Sequence, residues 1–366
     1  MENMGLRCNL YILFNLISIG LFARYTEPDN DRQLPETFIL QNTTSIKQVT
    51  VYYNKAYRKD MPATEGDKHK EAFFDRKGRV TKYFFYDEKG KQATRYYKYY
   101  YNYKEYSKVI EKYNDKNMLA YKWLYNDKGL LAEEYKYHEN QDIQFAWFYY
   151  YNALNNISEE YKLDYFGKYL KRIIYKYDNF NKLIEWSRFD NPNNLLYRWR
   201  INYDEKSDTT MCIKLDTDNK VTESWVYYNN LSGKPDSILK FDIKNDLIEK
   251  LAFNYRGGNI CFGITTYDAN REFTHRWEHS LDEQGRIAEE VYYNYSGLDE
   301  KNVYGFDDKG NMINNKRIKF IGEEKDEKLI RETETEYNEK GNIITIVDRN
   351  YILKTVSVYT YEYVYF

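Results

Sequence analysis

The sequence predicts an all-β protein, a long antiparallel β-meander of tandem 12- to 14-residue strand-turn repeats, curved or spiralled into a strip. Three observations lead there. An aromatic residue, Asp or Asn, two polar residues, Gly or Asn, one polar residue and an aliphatic recur from Phe74 to Thr345. Clear copies of this phrase start at Phe74, Tyr86, Tyr113, Tyr125, Tyr177, Leu281, Phe306 and Tyr337. With the Asp or Asn as a marker, neighbouring markers such as Asp75, Asp87, Asn114, Asn126, Asp178, Asp190 and Asp204 fall mostly 12 to 14 residues apart. That interval holds one strand and one turn, so each turn reverses the chain. Beyond residue 23 no run carries a helical period.

The first 23 residues read as a targeting element. Arg7 precedes an uncharged run from Leu10 to Phe22, about the length of a signal-peptide hydrophobic region and short for a bilayer span. Cleavage after Ala23 is expected, with an uncleaved amino-terminal anchor as the competing reading. Residues 24–70 read as lead-in strands and linker, and 71–366 as the repeat array. Cys212 and Cys261 lie about four turns apart, which at roughly 4.8 Å per strand puts them beyond disulfide reach.

Within each phrase the turn chemistry is physical. Asp or Asn accepts hydrogen bonds from the backbone two residues on, and Gly, or Asn as at Asn181, takes the positive φ of a short hairpin loop. Because strand side chains alternate, counting back from each marker separates two faces. Positions one and three before it hold Phe84 and Tyr86, Trp123 and Tyr125, or Tyr175 and Tyr177, the more apolar face. Positions two and four hold mixed pairs such as Ile110 with Lys112, or Trp186 with Arg188. A strip of some twenty such strands accumulates twist and is expected to curl. The charged stretch from Glu323 to Glu336 reads as either a longer loop or an extended hairpin.

Composition narrows the function classes. The 43 tyrosines, with 42% hydrophobic residues and a mean hydropathy of -0.87, describe a sheet whose apolar area comes from residues with a polar end. Fifty-five basic and 57 acidic residues, interleaved to a net charge of -2, give no basic stripe, so nucleic acid is not an expected partner.

The phrases Tyr86-Asp87-Glu88-Lys89-Gly90-Lys91 and Phe74-Asp75-Arg76-Lys77-Gly78-Arg79-Val80 resemble the YD repeat of the RHS family, over about three quarters of the chain. The resemblance implies a bacterial secreted or surface protein whose repeats form a β-strip winding into a shell. The array departs from that family in running on to Tyr363 and Phe366 without an RHS core or toxin domain, so a toxin-enclosing role is not expected.

Candidate chemistry is sparse. Glu recurs seven residues after the marker at Glu133, Glu159, Glu185, Glu223, Glu249 and Glu289, with His275 in the same slot. A position repeated this often reads as cross-strand pairing with Lys or Arg rather than as a catalyst. The four histidines, His69, His138, His275 and His279, form no zinc pattern, and Asp216, Asp218, Asp307 and Asp308 read as solvated turn acids. No metal or cofactor is expected. Trp123, Trp147, Trp186, Trp199, Trp225 and Trp277 are the candidate binding residues, since aromatic faces beside polar groups stack on sugar rings or an extended polymer. Cross-strand packing is their competing role. The expected function is an exported, non-enzymatic repeat protein, periplasmic, secreted or at the cell surface, that binds a protein, glycan or envelope component. A cytosolic immunity-like interaction protein and a carbohydrate hydrolase using the Glu ladder are the alternatives. Membrane contact is expected only through an uncleaved anchor.

Overall fold

The computed structural model describes residues 45–56, 67–101, 106–204, 209–230, 234–256, 260–321 and 326–366. Residues 1–23, read above as a targeting element, lie outside them. The described residues form β-strands and turns, and the chain order is simple. β1 (Ile46–Ala56), β2 (Asp67–Phe74), β3 (Val80–Tyr86), β4 (Ala93–Tyr101), β5 (Ser107–Asn114) and β6 (Leu119–Tyr125) come first. β7 (Leu131–Tyr137), β8 (Ile143–Tyr151), β9 (Ile157–Asp164), β10 (Tyr169–Tyr177), β11 (Leu183–Phe189) and β12 (Leu195–Asp204) follow. Next are β13 (Thr209–Leu215), β14 (Val221–Asn229), β15 (Pro235–Phe241), β16 (Leu247–Arg256), β17 (Ile260–Tyr267) and β18 (Phe273–Leu281). β19 (Ile287–Asn294), β20 (Gly297–Phe306), β21 (Met312–Ile321), β22 (Asp326–Tyr337), β23 (Ile343–Asn350) and β24 (Thr355–Tyr365) complete the sheet. Of the charged stretch, residues 323–325 lie outside the described residues, and from Asp326 it is strand: β22 pairs with β21 from Asp326 to Glu334. The sheet begins at Ile46, inside the segment read as lead-in.

Each strand pairs antiparallel with the next, and β24 pairs with β1 from Ile46↔Tyr365 to Ala56↔Val356. The expected strip is therefore not an open or spiralled one. It closes into a 24-stranded barrel. An open strip would leave two 11-residue edge strands with unpaired N–H and C=O groups, and closure satisfies both edges at once. Across the seam the Tyr53 hydroxyl lies 3.3 Å from Ser357 Oγ.

The turn after β10 shows how the phrase folds. Asp178 Oδ1 accepts from the backbone N–H of Phe180 at 2.9 Å and Lys182 at 2.8 Å. The Asn181 N–H donates to the Asp178 carbonyl at 3.0 Å, with Asn181 at φ 64°. A bulge follows: Lys176 pairs with Glu185 but Tyr177 with Leu183, leaving Ile184 as an extra residue.

That bulge corrects the face assignment. Counting back from the marker does not yield one face, because the extra residue shifts the phase of each new strand. On β3 the buried residues are Phe85 and Tyr83, two and four before Asp87, whereas on β10 they are Tyr175, Ile173 and Lys171, three, five and seven before Asp178. Facing residues in register define two continuous walls instead. One carries the buried clusters, two of them built from consecutive strands: Ile46 through Trp123 on β1 to β6, and Ile173 through Cys212 on β10 to β13, with Phe145, Trp147 and Tyr149 of β8 between them. Cys212 and Cys261 are free thiols, and burial pushes Cys212 up to about 12.

Candidate binding surface

All six tryptophans stand on the more buried wall. Register links them: Trp123 faces Glu134, which faces Trp147, while Trp186 faces Trp199, Trp225 faces Cys212 and Trp277 faces Ile264. The structure brings them onto one wall but not into one pocket. Trp123, Trp147, Trp186 and Trp199 are 0 to 4% exposed, while Trp225 and Trp277 are half-buried. Neighbours cover the rings. Trp186 stacks on Trp199 with centroids 6.4 Å apart, and Trp123 stacks on Tyr121 at 5.6 Å. Lys162 and Lys171 lie 5.5 and 5.4 Å from the Trp147 ring, and Lys240 lies 5.0 Å from that of Trp225. Such cation–π contacts cover faces that a ligand would otherwise use.

The same wall carries a recurring tyrosine latch along one rim. Tyr151, Tyr177, Tyr203, Tyr255 and Tyr363 each donate a hydroxyl hydrogen bond to the carbonyl of the residue 20 positions earlier, and Tyr101 donates to that of Val80, 21 earlier. Each acceptor, such as Leu131 or Ile157, opens the strand beside the tyrosine's own. Burial pushes Tyr101 and Tyr255 up to about 12, so both hydroxyls keep their proton at neutral pH.

The other wall exposes more of its rings. Phe84, Tyr96 and Tyr113 face one another across β3, β4 and β5, stacked at 5.1 and 4.7 Å, the latter pair only 5° from parallel. A second row joins Phe148 to Tyr161 at 5.0 Å and Tyr161 to Tyr150 at 5.8 Å. Tyr150, in the second row, and Tyr100, elsewhere on this wall, are 49% and 46% exposed. The hydroxyls are organised by carboxylates and by each other: Tyr113 donates to Glu111 at 2.8 Å, and Tyr150 and Tyr161 hydroxyls meet at 3.0 Å. Burial, then Glu111, raises Tyr96 and Tyr100 above the ordinary phenol range. Lys98 sits 4.6 Å from the Tyr113 ring. These rows escaped the sequence reading, because their members align only when the bulge after each turn is counted.

The recurring glutamates split between the walls. Glu133, Glu159, Glu185 and Glu289 stand with the tyrosine rows, while Glu223 and Glu249 stand with the tryptophans. Glu159 pairs with Arg172 at 2.8 Å, and Glu185 with Lys176 at 2.7 Å and Arg200 at 3.1 Å. Glu223 lies 3.6 Å from Lys240, and Glu289 lies 3.7 Å from Lys301. Burial pushes Glu185 up, but its two cations outweigh that and hold it below the usual carboxylate range. His69, His275 and His279 each contact an aromatic ring, while His138 belongs to a turn. Among the described residues no group of three His, Cys, Asp or Glu is placed to hold a metal ion.

No family model matches the chain, and no curated protein matches it. Among solved structures it is similar to a chain in the crystal structure of TcdB2-TccC3-Cdc42, with 10% identity and a TM-score of 0.29, covering 76% of this chain and 17% of that one. A porin-like protein from Bacteroides uniformis ATCC 8492 is similar at 9% identity and TM-score 0.22, covering 87% and 98% of the two chains. A protein of unknown function from Bacteroides fragilis NCTC 9343 is similar at 12% identity and TM-score 0.16, covering 45% and 93%. The likenesses are too slight to carry anything over from those proteins. What stands on the chain's own geometry is an all-β, repeat-built barrel with two chemically different walls.

Proposed function

We propose that this is an exported, non-enzymatic repeat protein that binds a protein, glycan or cell-envelope component through the tyrosine rows of its closed sheet. One observation carries the reading. The rows of Phe84, Tyr96 and Tyr113, and of Phe148, Tyr161 and Tyr150, combine stacked rings, accessible hydroxyls and flanking Lys98 and Glu111 in a repeating strip. Flat aromatic surface with polar ends suits sugar rings or extended chains, at low conformational cost to the protein. The resemblance to YD repeats supports the exported setting.

Neither wall suits hydrocarbon. Lys98, Glu111 and Lys122 face one another across the tyrosine wall, and Glu134 and Lys162 flank Trp147 in register on the other. A lipid-facing charge near the bilayer midplane costs about 2–4 kcal/mol for Lys or Arg. The test is a glycan-array and protein-ligand screen with the mature chain, repeated with Tyr96→Ala and Tyr150→Ala. A ligand retained by the wild type and weakened by these substitutions supports the reading. Ligands insensitive to both would place recognition elsewhere.

A further inference from the structure

On β8 and β9 two tyrosines meet at their hydroxyls. Register sets Tyr161 opposite Phe148 and Tyr150 opposite Glu159, so Tyr150 and Tyr161 are diagonal neighbours on one wall, a separation that aromatic side chains span. Their rings lie 5.8 Å apart between centroids and 25° from parallel, and their hydroxyl oxygens are 3.0 Å apart. Phe148 and Tyr169 also pack on Tyr161, at 5.0 and 5.3 Å, and hold its ring in place. Tyr150 is 49% exposed, within reach of an oxidant in solution. The hydroxyl contact sets this pair apart from Tyr96 and Tyr113. Those rings lie 4.7 Å apart and only 5° from parallel, but their hydroxyls part, Tyr96 donating to Asn117 and Tyr113 to Glu111.

We propose that Tyr150 and Tyr161 are a modification site, coupled into dityrosine by a haem peroxidase acting with hydrogen peroxide. The oxidant takes one electron from each phenol, and each phenolic proton goes to solvent. Unpaired spin in each phenoxyl radical spreads to the carbons ortho to its oxygen. Pairing of one ortho carbon from each ring forms the C–C bond; each ortho hydrogen then leaves as a proton and each oxygen takes one up, restoring both phenols. The balance is two tyrosines and one hydrogen peroxide to one dityrosine and two waters. In the product the hydroxyls stand side by side, flanking the new bond, and Tyr150 and Tyr161 already hold theirs together. A pair fixed in a near-attack arrangement reacts far ahead of partners that must meet by diffusion. The new bond fastens β8 to β9 through side chains and locks the register that backbone pairing sets. It requires no ligand on the tyrosine rows and holds whether or not they bind one.

The full chain is treated at low protein concentration with a haem peroxidase and hydrogen peroxide, and the products are read by dityrosine fluorescence, denaturing gel and peptide mass mapping. Cleavage at glutamate separates the pair at Glu159 and Glu160, so the cross-link joins two peptides. A Tyr150 peptide bonded to a Tyr161 peptide, lighter than their sum by a pair of hydrogens, is expected from chain that still migrates as a monomer. Tyr150→Phe and Tyr161→Phe keep the rings and remove the phenols, and each is expected to lose that product with the sheet signal in circular dichroism unchanged. Tyr169→Phe, which removes the other phenol packed on Tyr161, and Tyr165→Phe, at a 54% exposed turn tyrosine, are expected to retain it. Coupling confined to other tyrosines, cross-links only between chains, loss of the product in Tyr169→Phe, or coupling of Tyr150 to Tyr161 no faster than of Tyr96 to Tyr113 would each overturn the proposal.

Discussion

Alanine at three turn glycines separates backbone strain from steric contact. Gly285 sits at φ 79° with nothing within 4 Å of a built Cβ, so Gly285→Ala carries strain alone. Left-handed backbone costs an L-residue about 1–2 kcal/mol, and the stiffer unfolded chain offsets about 0.4–1 of it, leaving roughly 1 kcal/mol. Gly129, at φ 74°, adds ring carbons of Tyr106 at 3.0 to 3.1 Å. The exposed Tyr106 ring can turn away, but its Cβ, also 3.1 Å from the new atom, moves only with the backbone, so Gly129→Ala costs more than Gly285→Ala and the β-branched Gly129→Val more again. At Gly90 the new Cβ would lie 2.5 Å from the backbone nitrogen of Lys68, and no side-chain rotation relieves that. The turn must then move against β2, and Gly90→Ala is expected to be the most damaging of the alanines. Lys128→Ala, beside Gly129, loses only an exposed 2.8 Å contact to Asn155 and is expected to be nearly silent. Urea unfolding reads the series: with a slope on the order of 3 kcal/mol/M, Gly285→Ala shifts the midpoint by about 0.3 M. Indistinguishable midpoints for Gly285→Ala and Gly90→Ala would refute the steric account, and a stabilising Gly285→Ala would refute the strain account.

Tyr177→Phe removes the 2.7 Å latch to the Ile157 carbonyl while keeping the ring, and is expected to cost about 0.5–1.5 kcal/mol by chemical denaturation; no change would make the latch incidental. Alkaline titration followed by tyrosinate absorbance and circular dichroism is expected to show stability intact below pH 10 and lost as pH rises toward 12, because burial raises Tyr101, Tyr197 and Tyr255 to about 12 in the fold; ordinary phenol titration with the sheet intact would contradict that burial. Replacing Glu159 and Glu185 together by Gln leaves Arg172, Lys176 and Arg200 without their carboxylates and is expected to lower stability modestly, read by chemical denaturation. Loss of a hydrolytic activity in that variant, with its fold intact, would instead make the ladder catalytic.

Much of the architecture was legible because turn chemistry is local. Asp178 must bond Phe180 and Lys182, and Asn181 must take positive φ, whatever lies elsewhere, so the phrase reports a hairpin by itself. Closure was not legible. It depends on β1 and β24, 299 residues apart from Ala56 to Thr355, meeting in register, and no local rule encodes a partner at that distance. The tryptophans were found by type but not by setting, since the lysines over Trp147 come from β9 and β10. The packing of Tyr359 on Tyr53 and His69 was illegible for the same reason, since β24 reaches β1 and β2 only through closure.

The walls survive 24 strands because strand and turn lengths are coupled. A marker interval of 12 or 14 is even, and the bulge after a turn adds one residue, so the aromatic before the marker changes wall at each turn and returns after two. That is why Tyr125, Tyr151, Tyr177 and Tyr203 share the tryptophan wall at steps of 26, while Tyr86 and Tyr137 stand on the other. The interval from Asn294 to Asp307 is 13 and would reverse the pattern. There the turn is shorter, Asn294 pairing directly with Gly297, and the phase is regained: Tyr304 faces Asn315, in line with the wall of Trp277. Side-chain alternation makes a one-residue slip move every later side chain to the opposite wall, so selection acts on the sum of strand, bulge and turn rather than on any one length. Compensation is not general, since the intervals from Asp216 to Asn229 and from Asn229 to Asp242 are also 13, and there Leu215, Tyr228 and Phe241 all stay on the wall opposite the tryptophans.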